Sequence, residues 1–221
     1  MIQLYSGNLN YSSWSIRAVL VARGSGLEIV ETILPLGPTE TYDRMVAETG
    51  QHRVPALVAD GLIIHDSLAI TEWIAEQAPP GRVWPEAPEK RARPRSLCAE
   101  MHASFVHLRS EMGVDIRARH PTPEMTPALS WDIQRVLQIW TETRTTYRAD
   151  GPYLFGAWSA ADAFYMPVAT RFVTYGVGLS GAAKAYAESV LDHPLSQRLI
   201  EDAKAEPWSV DLSKFRPASA G

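Results

Sequence analysis

His52-Arg53-Val54-Pro55-Ala56-Leu57-Val58-Ala59-Asp60-Gly61-Leu62-Ile63-Ile64-His65-Asp66-Ser67 is the stretch on which the fold turns. Two short apolar runs flank Asp60-Gly61, a dipeptide that favours the tight turn of a β-hairpin. Pro55 has no N–H to give a ladder, so it belongs where the first strand opens. A tight turn there suits a cis peptide bond. His65-Asp66-Ser67 then reads as a cap for a helix from Leu68 to Glu76, whose apolar residues recur with helical spacing. Pro79-Pro80-Gly81 stops that helix.

Upstream, Ile2 to Tyr5 reads as a strand and Ser13 to Arg23 as a helix stopped by Gly24 and Gly26. Glu28 to Leu34 is β-branched and alternates apolar with polar residues, as a second strand does. Thr39 to Glu48 reads as a short helix closed by Gly50. The order is β-α-β-α-β-β-α. Two strands joined by a helix of this length pair in parallel, with a right-handed crossover. This is the thioredoxin-like arrangement.

Downstream the pattern changes. Residues 79–88 contain four prolines and read as an extended linker. Beyond it Leu97, Met101, Phe105, Leu108 and Met112 share one helical face. Arg91, Arg93 and Arg95 before this face read as solvated. Leu129, Ile133, Val136, Leu137 and Trp140 define another helix. Ser159 and Asp162 have capping-box spacing at the start of a third, with Asp in place of Glu. Tyr165, Met166, Val168, Phe172 and Tyr175 on that helix read as core or as the wall of a second pocket, with core favoured. Stretches from Ala182 to Leu191 and from Leu195 to Ala205 complete an all-α region. The expected class is therefore α+β. A thioredoxin-like domain spans 1–78, a linker 79–88, an all-α domain 89–208, and a tail 209–221 that frays or folds over the cleft.

Composition narrows the partners. The formal charge is −4 and no long basic run exists, so nucleic acid and anionic membrane are not the expected partners. No apolar run approaches the ~18 residues that cross a bilayer. The opening run lacks the features of a signal peptide, so the expected compartment is the cytoplasm. The single cysteine, Cys98, excludes an intrachain disulfide and reads as a small core residue. His102 and His107 fall on different faces of a helix, so no metal site is expected.

Three motifs now coincide at the ends of strands and helices. Ser12-Ser13-Trp14-Ser15-Ile16-Arg17 resembles the serine-type active-site loop of the zeta and tau classes of the glutathione transferase family. His52 to Leu57 resembles that family's cis-proline loop. Gly61 to Ile70 resembles the zeta-class site for a γ-glutamyl group. The resemblance spans nearly the whole chain and is strongest in the first eighty residues. It implies glutathione as co-substrate, a hydrophobic electrophilic small molecule as second substrate, detoxification as the role, and a homodimer. By the same resemblance Ser12 is the first choice for the catalytic hydroxyl and Ser13 the second; Tyr5 and Tyr11 are also candidates, because another branch of the family uses a strand-1 tyrosine, but Tyr5 reads as a packed strand residue. Trp14 stands where zeta-class proteins have cysteine, which argues against thiol–disulfide exchange.

The chemistry of glutathione matches these residues. Its cysteinyl backbone can pair with an exposed Val54 before Pro55. Its γ-glutamyl carboxylate suits the Ser67 N–H and hydroxyl at a helix N-terminus. Its ammonium suits Asp66. Its glycyl carboxylate needs a donor, for which His52 and Arg53 are candidates. A free thiol has a pKa of about 8.5. A hydrogen bond to the anion is worth roughly 1.5–3 kcal/mol. The partial charge at a helix start adds ~0.3–1 kcal/mol. One serine hydroxyl on the first helix therefore suffices to make much of the bound thiol anionic near neutral pH.

Three functions remain open. The first is a glutathione transferase acting on an electrophile. The second is a glutathione-dependent cis–trans isomerase of maleylacetoacetate type, which needs a cation for substrate carboxylates; Arg171 is on the expected helix but one turn displaced. The third is a non-catalytic binding module with the same fold.

Overall fold

A computed structural model describes residues 1–210; the expected tail after Val210 lies outside the described residues. The chain opens with β1 (Ile2–Gly7), α1 (Ser13–Ser25), β2 (Ile29–Leu34), α2 (Thr39–Thr49), β3 (Ala56–Ala59), β4 (Leu62–His65) and α3 (Ser67–Gln77). The sheet order is β2-β1-β3-β4. β1 runs parallel to β2, from Ile2 opposite Ile29 to Gly7 opposite Leu34. β3 lies antiparallel to both β1 and β4. This is the expected thioredoxin-like sheet.

Local chemistry sets the boundaries. Asp60 and Gly61 both have positive φ, 48° and 83°, which is the two-residue hairpin turn expected there. The Val54–Pro55 bond is cis. β3 starts at Ala56 and not at Val54, because Pro55 has no ladder donor. α1 runs past Gly24 to Ser25 and ends on Gly26 at φ 80°, the left-handed residue a C-terminal cap needs.

The helical half contains α4 (Ala92–Ala103), α5 (Val106–Glu111), α6 (Pro127–Tyr147), α7 (Ala160–Thr174), α8 (Gly181–Asp192) and α9 (Pro194–Ala205). The expected single face from Leu97 to Met112 is split between two helices, although all five residues are buried. The break falls at Phe105, whose φ is +61°. Side chains take over the hydrogen bonds freed there. Arg109 Nη1 donates to the carbonyl of His102 at 2.9 Å, and the Leu108 N–H donates to Asp132 at 3.0 Å.

α7 is the axis of this half. It is buried along nearly its whole length and packs on α1, α4 and α8. Ser159 and Asp162 form the capping box at its start. Tyr165, Met166, Val168, Phe172 and Tyr175 are core. The connecting segment is anchored: Val83 and Trp84 are buried, and the Val83 carbonyl accepts the Ala160 N–H at 2.8 Å. Arg91 and Arg95 are engaged and not simply solvated. Arg91 donates to the carbonyls of Pro85 and Glu86, and Arg95 pairs with Glu72 of α3 at 2.9 Å. Among the described residues no helix is long and apolar enough to cross a membrane.

Candidate functional site

Trp14 lines two cavities of about 520 Å³ each. Gln51, His52, Arg53, Val54, Pro55, His65, Asp66 and Ser67 line one. The structure thus brings together every residue assigned to glutathione from the sequence. Ser67 starts α3, is fully buried, and its hydroxyl has no hydrogen-bond partner among the described residues. A buried hydroxyl without a partner costs roughly 1–3 kcal/mol. Asp66 caps α3 through the Leu68 N–H at 2.7 Å and holds its backbone at φ 77°. Its second oxygen lies 3.4 Å from His102 Nε2 on α4. His52 and Arg53 are exposed at the rim.

Ser12 and Ser13 lie in the other cavity, with Tyr11, Arg109, Arg171 and Val210. Ser12 is the N-cap of α1, and its Oγ accepts the Ser15 N–H at 3.2 Å. The Ser12 and Ser15 hydroxyls are 3.0 Å apart, and Ser15 Oγ accepts the Gly7 N–H at 2.8 Å. Either hydroxyl can supply the shared hydrogen. When Ser15 supplies it, the Ser12 hydrogen is free to point at an anion in the cavity. Ser15 was not picked out from the sequence, although its spacing from Ser12 is that of a cap and its N3 partner. Ser13 Oγ accepts from Arg171 Nη2 at 3.3 Å. Tyr5 lines neither cavity; its hydroxyl bonds Glu48 of α2, which raises its phenol. Cys98 is buried in the core, where desolvation pushes its thiol up.

Arg171, the cation considered from the sequence, lines this cavity; Arg17 and Arg109 were not legible there. Arg17, one turn along α1 from Ser13, is fully buried between the rings of Trp14 and Phe164, 4.7 and 5.0 Å from their centres. None of its guanidinium nitrogens has a hydrogen-bond partner among the described residues. Arg109 lies over Trp14 as well, at 5.3 Å. Arg171 is held by the carbonyls of Met112 and Pro167 at 2.8 and 3.3 Å. Desolvation and neighbouring arginines push Arg17 down to about 10 and Arg171 to about 9. All three stay cationic at neutral pH, and none forms a salt bridge to a carboxylate among the described residues. Buried positive charge of this kind favours an anion beside it.

Comparison with known proteins agrees with this fold. Residues 11–77 match the family described as glutathione S-transferase, N-terminal domain. Residues 11–77 belong to the glutathione S-transferase N-terminal domain family. Maleylacetoacetate isomerase from Rattus norvegicus is 35% identical over 95 residues, 42% of this chain and 44% of that protein. The isomerase from Mus musculus gives the same figures. The match therefore spans less than half the length of these curated relatives. A bacterial zeta-class maleyl pyruvate isomerase structure has a TM-score of 0.70 at 22% identity, covering 94% of this chain and 100% of its own. A glutathione transferase homologue from Burkholderia gl BGR1, with bound glutathione, has a TM-score of 0.69 at 22% identity, covering 93% and 99%. At these identities the structures establish the fold. The transferase-type fold thus extends through the helical half, beyond the segment that the family match covers.

Proposed function

We propose that the chain is a glutathione-dependent enzyme that binds the tripeptide in the Val54–Ser67 cavity and ionises its thiol at Ser12. The observation that carries this reading is the shared wall at Trp14. Trp14 lines both a cavity shaped by Asp66, Ser67 and the proline loop and one walled by Ser12 and Ser13. In the leading reading the thiolate attacks an electrophile in the second cavity. The sulfur–carbon bond forms as the leaving group departs or as a conjugated double bond accepts the electron pair. Ser12 holds the sulfur as an anion; the protein supplies no nucleophile of its own.

Ser12→Ala is expected to leave glutathione affinity within about threefold, because the residues that grip the tripeptide are elsewhere. It should raise the apparent pKa of the bound thiol by about one unit, the loss of ~1.4 kcal/mol of anion stabilisation. Thiolate absorbance against pH measures this. An unchanged titration in Ser12→Ala, with the shift seen in Ser13→Ala, moves the role to Ser13. No shift in either variant overturns the mechanism. Binding without turnover of any electrophile would favour a non-catalytic module.

A second reading has a specific observation behind it. Arg109 and Arg171 line the cavity, with Arg171 touching Ser13, and among the described residues neither forms a salt bridge to a carboxylate, although the Asp132 charge acts on Arg109. This favours a second substrate that carries a carboxylate. A glutathione-dependent cis–trans isomerase of a maleyl-type diketo acid is such an enzyme. There the thiolate adds to the double bond, the new single bond rotates, and the sulfur leaves again. Turnover of a maleyl-type acid without net consumption of glutathione distinguishes this from conjugation.

A homodimer belongs to the same proposal. Leu62, Ile63 and Trp131 are 52, 43 and 67% exposed, apolar surface that a second copy would cover. Sedimentation velocity is expected to give twice the chain mass; a single-chain mass at micromolar concentration rejects the dimer.

A further inference from the structure

We propose that Glu206, just beyond the last helix, is the positioning residue that fixes the turn carrying Ser12. The role in thiol ionisation rests on the reading above; the structural part stands by itself. Glu206 is the first residue after α9 and is followed by Pro207. A residue before proline is driven out of the helical region, and Glu206 has φ −57° and ψ 127°. The chain therefore turns off α9 there. The side chain is 6% exposed and reaches the turn between β1 and α1, about two hundred residues earlier in sequence.

Three donors of that turn converge on one carboxylate. The Leu9 N–H meets Oε1 at 2.5 Å, and the Asn10 N–H and Asn8 Nδ2 meet Oε2 at 3.3 Å each. Burial raises the carboxyl and these donors, with the Arg117 charge, lower it. Asn8 is the hinge of the turn. Its side-chain oxygen accepts the Leu36 N–H at 2.7 Å. Its carbonyl accepts the Tyr11 and Ser12 N–H groups at 3.2 and 2.9 Å. Two hydrogen bonds thus lead from Glu206 through Asn8 to the backbone of Ser12.

A strap holds Glu206 in turn. Arg117 donates to the carbonyls of Glu206 and Trp208, each at 2.8 Å, and to the Tyr11 hydroxyl at 3.0 Å. Its own N–H donates to Asn10 Oδ1 at 2.9 Å, and Asn10 Nδ2 donates to Asp115 at 2.8 Å. Val210, four residues on, lines the cavity beside Ser12 and Ser13. The segment after α9 is in this way tied to the geometry of the N-terminal turn. Only an acceptor with two oxygens meets all three donors. Glutamine keeps the size of the side chain but turns an NH₂ toward some of them.

The test uses the whole chain and two measurements. In Glu206→Gln, glutathione affinity is expected to stay within about twofold, since among the described residues none that lines the Val54–Ser67 cavity hydrogen-bonds Glu206. The apparent pKa of the bound thiol is expected to rise by about one unit, and kcat at pH well below that pKa to fall about tenfold, the ratio one unit represents. A folded Glu206→Gln protein with the wild-type thiol titration and kcat overturns the proposal. Amide hydrogen exchange on the ligand-free wild-type protein gives a reading that needs no variant. Leu9 and Asn10 are expected to exchange at least ~10²-fold slower than open loop amides. Exchange at the open-loop rate overturns the proposal while leaving glutathione binding intact. Failure of the wild-type protein to bind glutathione instead overturns the glutathione reading and, with it, the role in thiol ionisation.

Discussion

Asp162→Ala is expected to destabilise the protein by about 3–5 kcal/mol, the loss typical of a buried acceptor that leaves several donors unmet. Asp162 is fully buried at the first turn of α7. One oxygen accepts the Leu154 N–H at 3.0 Å, and the other accepts the Ser159 N–H at 2.9 Å and lies 3.2 Å from the Ser159 hydroxyl. Alanine would strand these groups inside the protein, next to the helix that packs on α1, α4 and α8. Denaturant unfolding followed by tryptophan fluorescence measures the loss. A change below 1 kcal/mol would mean that water reaches the cap. The same carboxyl has a pH signature. Burial pushes it up to about 6, against the hydrogen bonds that pull it down. An unfolded aspartate titrates near 3.9, so between about pH 4 and pH 6 the folded state binds more protons than the unfolded one. Stability from this group is full below that window and is lost as pH rises through it. Asp162→Asn is expected to flatten that slope.

Arg171→Ala is expected to reduce kcat/KM for carboxylate-bearing electrophiles by about 10²–10³-fold, while a neutral aryl halide changes less than about threefold. Truncating one partner of a buried charge pair costs ~2–5 kcal/mol, and this range corresponds to ~30- to 4,000-fold. The physical case is the isolation of the charge. Two carbonyls and Ser13 hold the guanidinium, and its nearest charged neighbours are other arginines. Arg171→Lys keeps the charge but not the planar fork, and is expected to recover only part of the rate. Equal losses for neutral and anionic substrates would show that Arg171 supports the cavity wall and does not recognise carboxylates. Melting temperatures of the variants separate that outcome from general unfolding.

These two residues differ in how far the sequence betrayed them. Ser159 and Asp162 have a three-residue spacing that only a helix start explains, so the cap was legible. Asp60-Gly61, Pro55 and the Asp66-Ser67 cap were legible for the same reason: turn and cap chemistry acts within four or five residues. The order of strands and helices followed, and with it the sheet. The split at Phe105 was hidden, because the face from Leu97 to Met112 stays apolar on both sides of the break. What permits the break is Asp132 and Arg109 meeting the freed backbone groups, and those contacts span up to 24 residues.

The amino-acid order alone determined a thioredoxin-like half joined to a helical half, with Ser12, Ser13, Val54, Pro55, Asp66 and Ser67 set at the ends of its elements. Local backbone preferences are enough for that. The convergence of Arg17, Arg109 and Arg171 beside the serines, and the reach of Glu206 to Leu9 and Asn10, were decided only by tertiary packing. Arginine reads as surface in any local window. Whether it is buried depends on α1, α5 and α7 meeting around one cavity, and neither spacing nor propensity encodes that meeting.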